Sequence, residues 1–211
     1  MKTLDQVTYR IGNGKSGTPL MLKNNQTVDP LNAYAKAMKR LTSKRNKTDE
    51  DHAQMGRVEW EGSLYFDTDT SNPPKIEGIP CKYRGNLIIP SRMLMAMIAN
   101  AASKCKGIVS KKECPSIAWV EKDASLETEA DVSDLDAMYN SGHFYSKEAV
   151  VVNNRRVMRV RPIFFKWGLE FTVTFCPDML NKDDLDKLIM VASQRCGLGE
   201  RRPFLGRFDI L

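Results

Sequence analysis

The chain has 211 residues, 42% hydrophobic and 27% charged, with a net charge of +6. This is ordinary globular usage: it excludes a disordered or repetitive chain, the apolar runs are too short for a membrane helix, and Met1 to Asp5 holds no apolar signal segment. The expectation is a cytoplasmic protein with no membrane partner, whose positive charge favours a polyanion.

Residues 6–11 alternate polar and apolar and read as a first strand, closed by Gly12 and Gly14. Asp29-Pro30 reads as a helix start, with Leu31, Ala35, Met38 and Leu41 at helical spacing. Thr48 and Asp51 form a capping-box variant before a second helix that runs to about Glu61. Residues 36–47 carry Lys36, Lys39, Arg40, Lys44, Arg45 and Lys47 with no acid, and their end, Thr42 to Lys47, reads as a basic loop between the two helices. Residues 67–80, rich in Asp, Thr, Ser and Pro, read as an exposed loop.

Ser91 is expected to cap a third helix whose apolar face is Leu94, Met97, Ile98 and Ala101. A short strand near residues 117–120 leads into a polar insertion holding Glu121, Asp123, Glu127, Glu129, Asp131, Asp134 and Asp136. Residues 157–165 and 169–175 read as strands joined into a β-hairpin through Lys166-Trp167-Gly168. Asp183 or Asp184 opens a last helix that Gly197 stops, and a final strand runs from about Arg207 to Leu211. Without its insertions the order is β-α-β-β-α-β, an α+β fold of ferredoxin-like or RRM-like plan, expected as a single domain with insertions at about 13–86 and 106–150.

Five cysteines without a Cys-x-x-Cys pair, and two distant histidines, His52 and His143, speak against a zinc site; the thiols read as reduced and mostly buried. Gly14-Lys15-Ser16 resembles the end of a P-loop, but Tyr9 stands where the first Gly belongs, and Gly17 and Pro19 prevent the required helix. Asp67 and Asp69 with Glu59 and Glu61 are the carboxylates a Mg²⁺-dependent nuclease would use, and His143 with Tyr145 is a metal-free pair. Neither pattern outweighs a binding role, so no catalytic residue, metal or cofactor is expected.

The carboxyl end, residues 197–208, places Gly197, Gly199 and Gly206 among Arg201, Arg202 and Arg207, so that backbone amides and guanidinium groups can meet phosphate oxygens. Arg155, Arg159 and Arg161 alternate along one strand and would set positive charge on one sheet face. Lys44, Arg45 and Lys47 add a basic loop. Phe164, Phe165, Trp167, Phe204 and Phe208 lie near these charges as candidate stacking rings.

Gly197-x-Gly199 with a spacer and Gly206 before a terminal strand resembles the glycine-rich loop of the RAMP superfamily, the RNA-binding subunits of CRISPR effector complexes. Leu87-Ile88-Ile89-Pro90-Ser91-Arg92-Met93-Leu94 resembles the Ile-Pro-Gly-Ser-Ser-Leu segment that opens the first core helix there, with Ser91 where that family has Gly. Thr18-Pro19-Leu20, Asp29-Pro30-Leu31-Asn32 and residues 199–208 also resemble small phage and prophage proteins. The superfamily resemblance implies single-stranded RNA as partner, or DNA by analogy, head-to-tail assembly of copies of the chain, and other CRISPR complex subunits as neighbours. The phage resemblance implies, as the alternative, an inhibitor or decoy that docks on proteins through its acidic or basic patch.

Overall fold

The computed structural model describes residues 3–67, 85–152 and 154–211. These fall into two compact units, Met1–Leu20 with Ile88–Glu129 and Phe165–Leu211, and Met21–Leu87 with Ala130–Phe164. None of their helices is long and apolar enough to cross a membrane.

Along the chain, β1 (Asp5–Gly12) and β2 (Leu20–Met21) precede α1 (Ala33–Thr42) and α2 (Asp49–Glu61). Then come β3 (Ile88–Ile89), α3 (Ser91–Ala102), α4 (Cys114–Ile117), β4 (Ala118–Trp119), β5 (Ala124–Ser125), β6 (Glu127–Thr128) and α5 (Leu135–Asn140). The last third holds β7 (Tyr145–Val152), β8 (Arg155–Phe164), β9 (Trp167–Phe175), α6 (Lys182–Val191) and β10 (Asp209–Ile210).

The first unit is built on the sheet β10-β1-β9-β4, every neighbouring pair antiparallel, with β6 also on β9. With α3 between β1 and β4, and α6 between β9 and β10, this is the β-α-β-β-α-β plan in its ferredoxin-like strand order 4-1-3-2. One sheet face meets the helices: Tyr9 and Ile11 of β1 and Leu169, Phe171, Val173 and Phe175 of β9 are buried, with Leu94, Met97 and Ile98 of α3 and Leu185, Leu188 and Ile189 of α6. Tyr9 donates its hydroxyl to Asp186 of α6 at 2.7 Å, which fixes that helix over β1. The opposite face carries Gln6, Thr8, Arg10, Glu170 and Thr172.

The second unit pairs α1 with α2 through Tyr34, Ala37, Leu41 and Val58, and carries the sheet β2-β8-β7. Trp60 is fully buried and donates its indole N–H to the Phe144 carbonyl at 2.8 Å. Beneath α2, Arg57 reaches Asp136 at 2.8 Å and Glu61 at 3.5 Å, and its guanidinium lies 4.7 Å from the Trp60 ring centre.

Four local expectations are corrected. The first concerns the 157–165 and 169–175 strands, which are not a hairpin. β8 pairs with β7 from Tyr145↔Pro162 to Val152↔Arg155, β9 pairs with β1 from Asp5↔Phe175 to Gly12↔Gly168, and the two belong to different sheets. A tight hairpin needs a positive φ at its turn, and Gly168 does not have one. Instead the Trp167 amide donates to Asn13 Oδ1 and the Lys166 amide to Glu129, so the chain changes sheets there. The second strand of the ferredoxin plan is therefore β4, in the stretch expected to be insertion.

α1 begins at Ala33, not Pro30, because Asn32 is the stronger cap, accepting from the Tyr34 amide at 2.9 Å, while Asp29 closes a separate turn on the Leu31 amide. Its buried face is accordingly Tyr34, Ala37 and Leu41. Ser91 is the first residue of α3, not its cap; its amide is satisfied from afar by Asp123 at 2.8 Å. α6 is capped by Asn181, whose side chain accepts from the Asp184 amide, and begins at Lys182. The loop read at 67–80 lies, from residue 68 on, outside the described residues, as do Asp69 and Cys81.

Candidate nucleic-acid interface

α6 runs on through a π-helical turn, Ala192–Cys196, and the chain then leaves at Gly197, whose φ is 72°. From there to Arg207 it makes a loop with a tight stem. The Leu198 amide donates to the Gly206 carbonyl at 2.8 Å, and the Gly206 amide donates to the Pro19 carbonyl at 2.8 Å. A Cβ on Gly206 would lie 1.7 Å from the Leu198 oxygen, and one on Gly197 would lie 2.9 Å from the Leu205 oxygen. Both glycines are therefore demanded by backbone against backbone. Leu198 and Phe208 are buried on either side and plug the stem into the core.

Beyond the stem the loop turns outward. The Leu205 amide donates to the Arg201 carbonyl at 3.2 Å, and Arg201 itself takes φ 58°. Arg201, Arg202 and Phe204 are exposed, Phe204 at 82%. The amides of Gly199, Arg202 and Phe204 donate to no other described residue, so a ligand can take them. The Gly197 amide is different: it donates to the Ala192 carbonyl at 2.9 Å and offers nothing outward. Lys104, at the end of α3, donates to the Arg195 carbonyl at 2.5 Å, a basic neighbour of the loop that no motif announced. Burial pushes the Cys196 thiol upward, opposed by the charges of Lys104 and Arg202.

The first unit thus brings together Gly197, Gly199, Arg201, Arg202 and Arg207. The remaining basic candidates belong to the second unit. Arg159 is held by Glu59 at 3.0 Å, Arg161 is half-buried, and the side chain of Arg155 lies outside the described part. The basic strand face expected of the core sheet is therefore corrected: it belongs to β8 of the three-stranded sheet. Arg10, on the open face of the ferredoxin-like sheet, is bound by Glu127 at 2.9 Å. In the loop between α1 and α2, Lys44 bonds Asp51 at 2.5 Å, Lys47 donates to the Lys44 carbonyl, and Arg45 is exposed.

Of the five candidate rings, Phe164, Trp167 and Phe208 are core, while Phe165 and Phe204 are exposed. The described candidate nuclease carboxylates, Asp67, Glu59 and Glu61, each have a separate partner. Asp67 accepts from the backbone and side chain of Asn86, Glu59 binds Arg159, and Glu61 is fully buried on the Tyr34 hydroxyl. His143 packs edge-on to Phe144, and Tyr145 stacks on Tyr139. The described residues hold no cluster of three or more His, Cys, Asp or Glu placed for a metal ion.

The acidic stretch is occupied internally as well. Asp123 caps α3, Glu127 holds Arg10, Glu129 accepts from the Lys166 amide, Asp134 caps α5 and Asp136 holds Arg57. Those carboxylates act as ties that fasten the insertion to each unit.

No protein-family model and no curated protein matches this sequence. Among solved structures, a chain in the cryo-EM structure of the type III-B Cmr-beta bound to cognate target RNA is similar over 99% of this chain, at 11% identity and a TM-score of 0.48. This chain spans 59% of the length of that one. Cmr6 from Pyrococcus furiosus is similar over 100% of both chains, at 12% identity and a TM-score of 0.31. Both scores lie below 0.5, so the strand order set out above is what carries the fold.

Proposed function

We propose that the chain is a non-catalytic binder of single-stranded RNA that grips the strand at the 197–207 loop. The observation that carries this reading is the loop tip. Two arginines and an exposed phenylalanine stand within four residues, on a stem that two obligatory glycines lock to the core. Guanidinium groups fork onto phosphate oxygens, free amides add neutral donors, and an exposed ring stacks on a base of any identity. A rigid stem means that little conformational entropy is lost when the strand is held.

The fold supports a RAMP-type role as far as position goes. The glycine-rich loop precedes the last strand of a ferredoxin-like unit, and the Pro90-Ser91 step opens its first helix, the two places that the superfamily resemblance assigns to these motifs. Assembly head to tail with copies of itself, or with other subunits of a CRISPR complex, belongs to the same proposal. The decoy reading would dock through the acidic or the basic patch, and the internal partners of Asp123, Glu127, Glu129, Asp134 and Asp136 speak against the acidic one. Lys44, Arg45, Lys47, Arg155, Arg159 and Arg161 are secondary contacts in this reading, Lys44 and Arg45 being exposed.

The test is fluorescence anisotropy of a labelled single-stranded RNA against wild-type protein and the Arg201→Ala/Arg202→Ala variant over a range of salt. Weaker binding with a flatter salt dependence supports the reading; identical curves overturn it.

A further inference from the structure

Beside the stem of the loop lies a groove of about 500 Å³. Its walls include Met190 of α6, Gln194 of the π turn, Arg207 at the loop exit, Asp209 and Ile210 of β10, and Ser16. Met190 and Ile210, 52% and 43% exposed, line the same groove and are suited to the flat faces of a ring. Three polar side chains in the walls are already engaged. Asp209 accepts from the amides of Lys15 and Ser16 at 2.8 and 3.0 Å and from the Ser16 hydroxyl, while Ser193 donates to the Met190 carbonyl at 2.8 Å.

That leaves the Gln194 carboxamide and the Arg207 guanidinium facing a ligand. Among the described residues the Gln194 carboxamide bonds only the Met190 sulfur, at 4.0 Å, a weak acceptor that a better partner displaces. A carboxamide offers donor and acceptor together, as reading the edge of a base requires, and a guanidinium takes the adjoining phosphate.

We propose that this groove receives one base of the bound strand, Met190 and Ile210 flanking its ring, Gln194 reading its edge and Arg207 holding its phosphate. The proposal rests on the strand-holding reading of the loop and makes it selective. Chain reach links the two: Arg207 follows Phe204 by three residues, at most about 10 Å of extended backbone. A base in the groove and a base stacked on Phe204 are therefore close neighbours on one strand. A second copy of the chain is the competing occupant.

The experiment is anisotropy with short labelled homopolymers of A, C and U, with sedimentation of the same samples. Wild-type protein should prefer one homopolymer by about fivefold or more. Gln194→Ala should erase that preference with the salt dependence unchanged, and Met190→Ala should weaken all three. Equal wild-type affinity for the three, or a preference that survives Gln194→Ala, overturns the groove assignment. If Arg201→Ala/Arg202→Ala still lowers affinity in that case, the strand-holding reading stands without it. Wild-type protein that binds none of them overturns both. An oligomer that dissociates on Met190→Asp with RNA affinity intact assigns the groove to a second copy and overturns the proposal.

Discussion

Leu198 and Gly206 meet backbone to backbone at the stem of the C-terminal loop, N–H to O=C at 2.8 Å, with no room for a methyl group between them. Gly206→Ala should therefore lower the thermal midpoint by about 4 °C or more, since a strained φ of 73° and a direct clash add. Gly142→Ala is the control: Gly142 has φ 74° but open space around its Cβ position, so its drop should be smaller. Differential scanning calorimetry of both variants decides between contact and dihedral strain.

Arg201→Ala/Arg202→Ala should reduce affinity for every RNA sequence alike. If each side chain meets one phosphate, the slope of log affinity against log salt falls by about 1.4. Titrations at several salt concentrations give the slope directly.

Phe204→Ala should cost about 1–3 kcal/mol of binding and leave the salt slope unchanged, because stacking releases no counterion. Phe208→Ala should instead lower stability, that ring being 3% exposed. Comparing binding and melting of the two variants separates interface from core.

Arg57→Met should destabilise the second unit by about 3–5 kcal/mol by leaving the buried Glu61 carboxylate without its cation. Adding Glu61→Gln should recover part of the loss. Denaturant unfolding of the single and double variants measures it.

Asp209 is held below the usual carboxylate range, first by the hydrogen bond from the Ser16 hydroxyl. A lowered folded-state pKa means that its contribution is present above the ordinary carboxylate value and is lost as the pH falls through the folded one. Stability measured from about pH 6 down to about pH 3 should therefore fall less steeply in Asp209→Asn than in wild type.

Local chemistry made much of the molecule legible before folding. Thr48 and Asp51 form their reciprocal cap as read, Leu94, Met97 and Ile98 are buried at helical spacing, and Gly197 stops the last helix turn. Each of these depends on residues within a turn or two of one another. The ferredoxin-like plan followed from the order of such pieces, and the Gly/Arg loop from composition alone.

Only the tertiary structure decided partners. Alternation along residues 157–175 marks strands, but it cannot say which sheet covers which face, and β8 and β9 parted because the face of Leu169, Phe171 and Val173 is buried beneath helices while β8 pairs with β7. Likewise the run from Glu121 to Asp136 looks in sequence like one acidic surface, yet its carboxylates meet donors from Ser91, Arg10, Arg57 and Lys166. The same holds for Phe204 and Phe208, alike in sequence, one exposed and one buried. Periodicity and capping act over a few residues, so a sequence states them outright. Burial and charge pairing depend on groups tens of residues away, so they exist only once the chain has closed on itself.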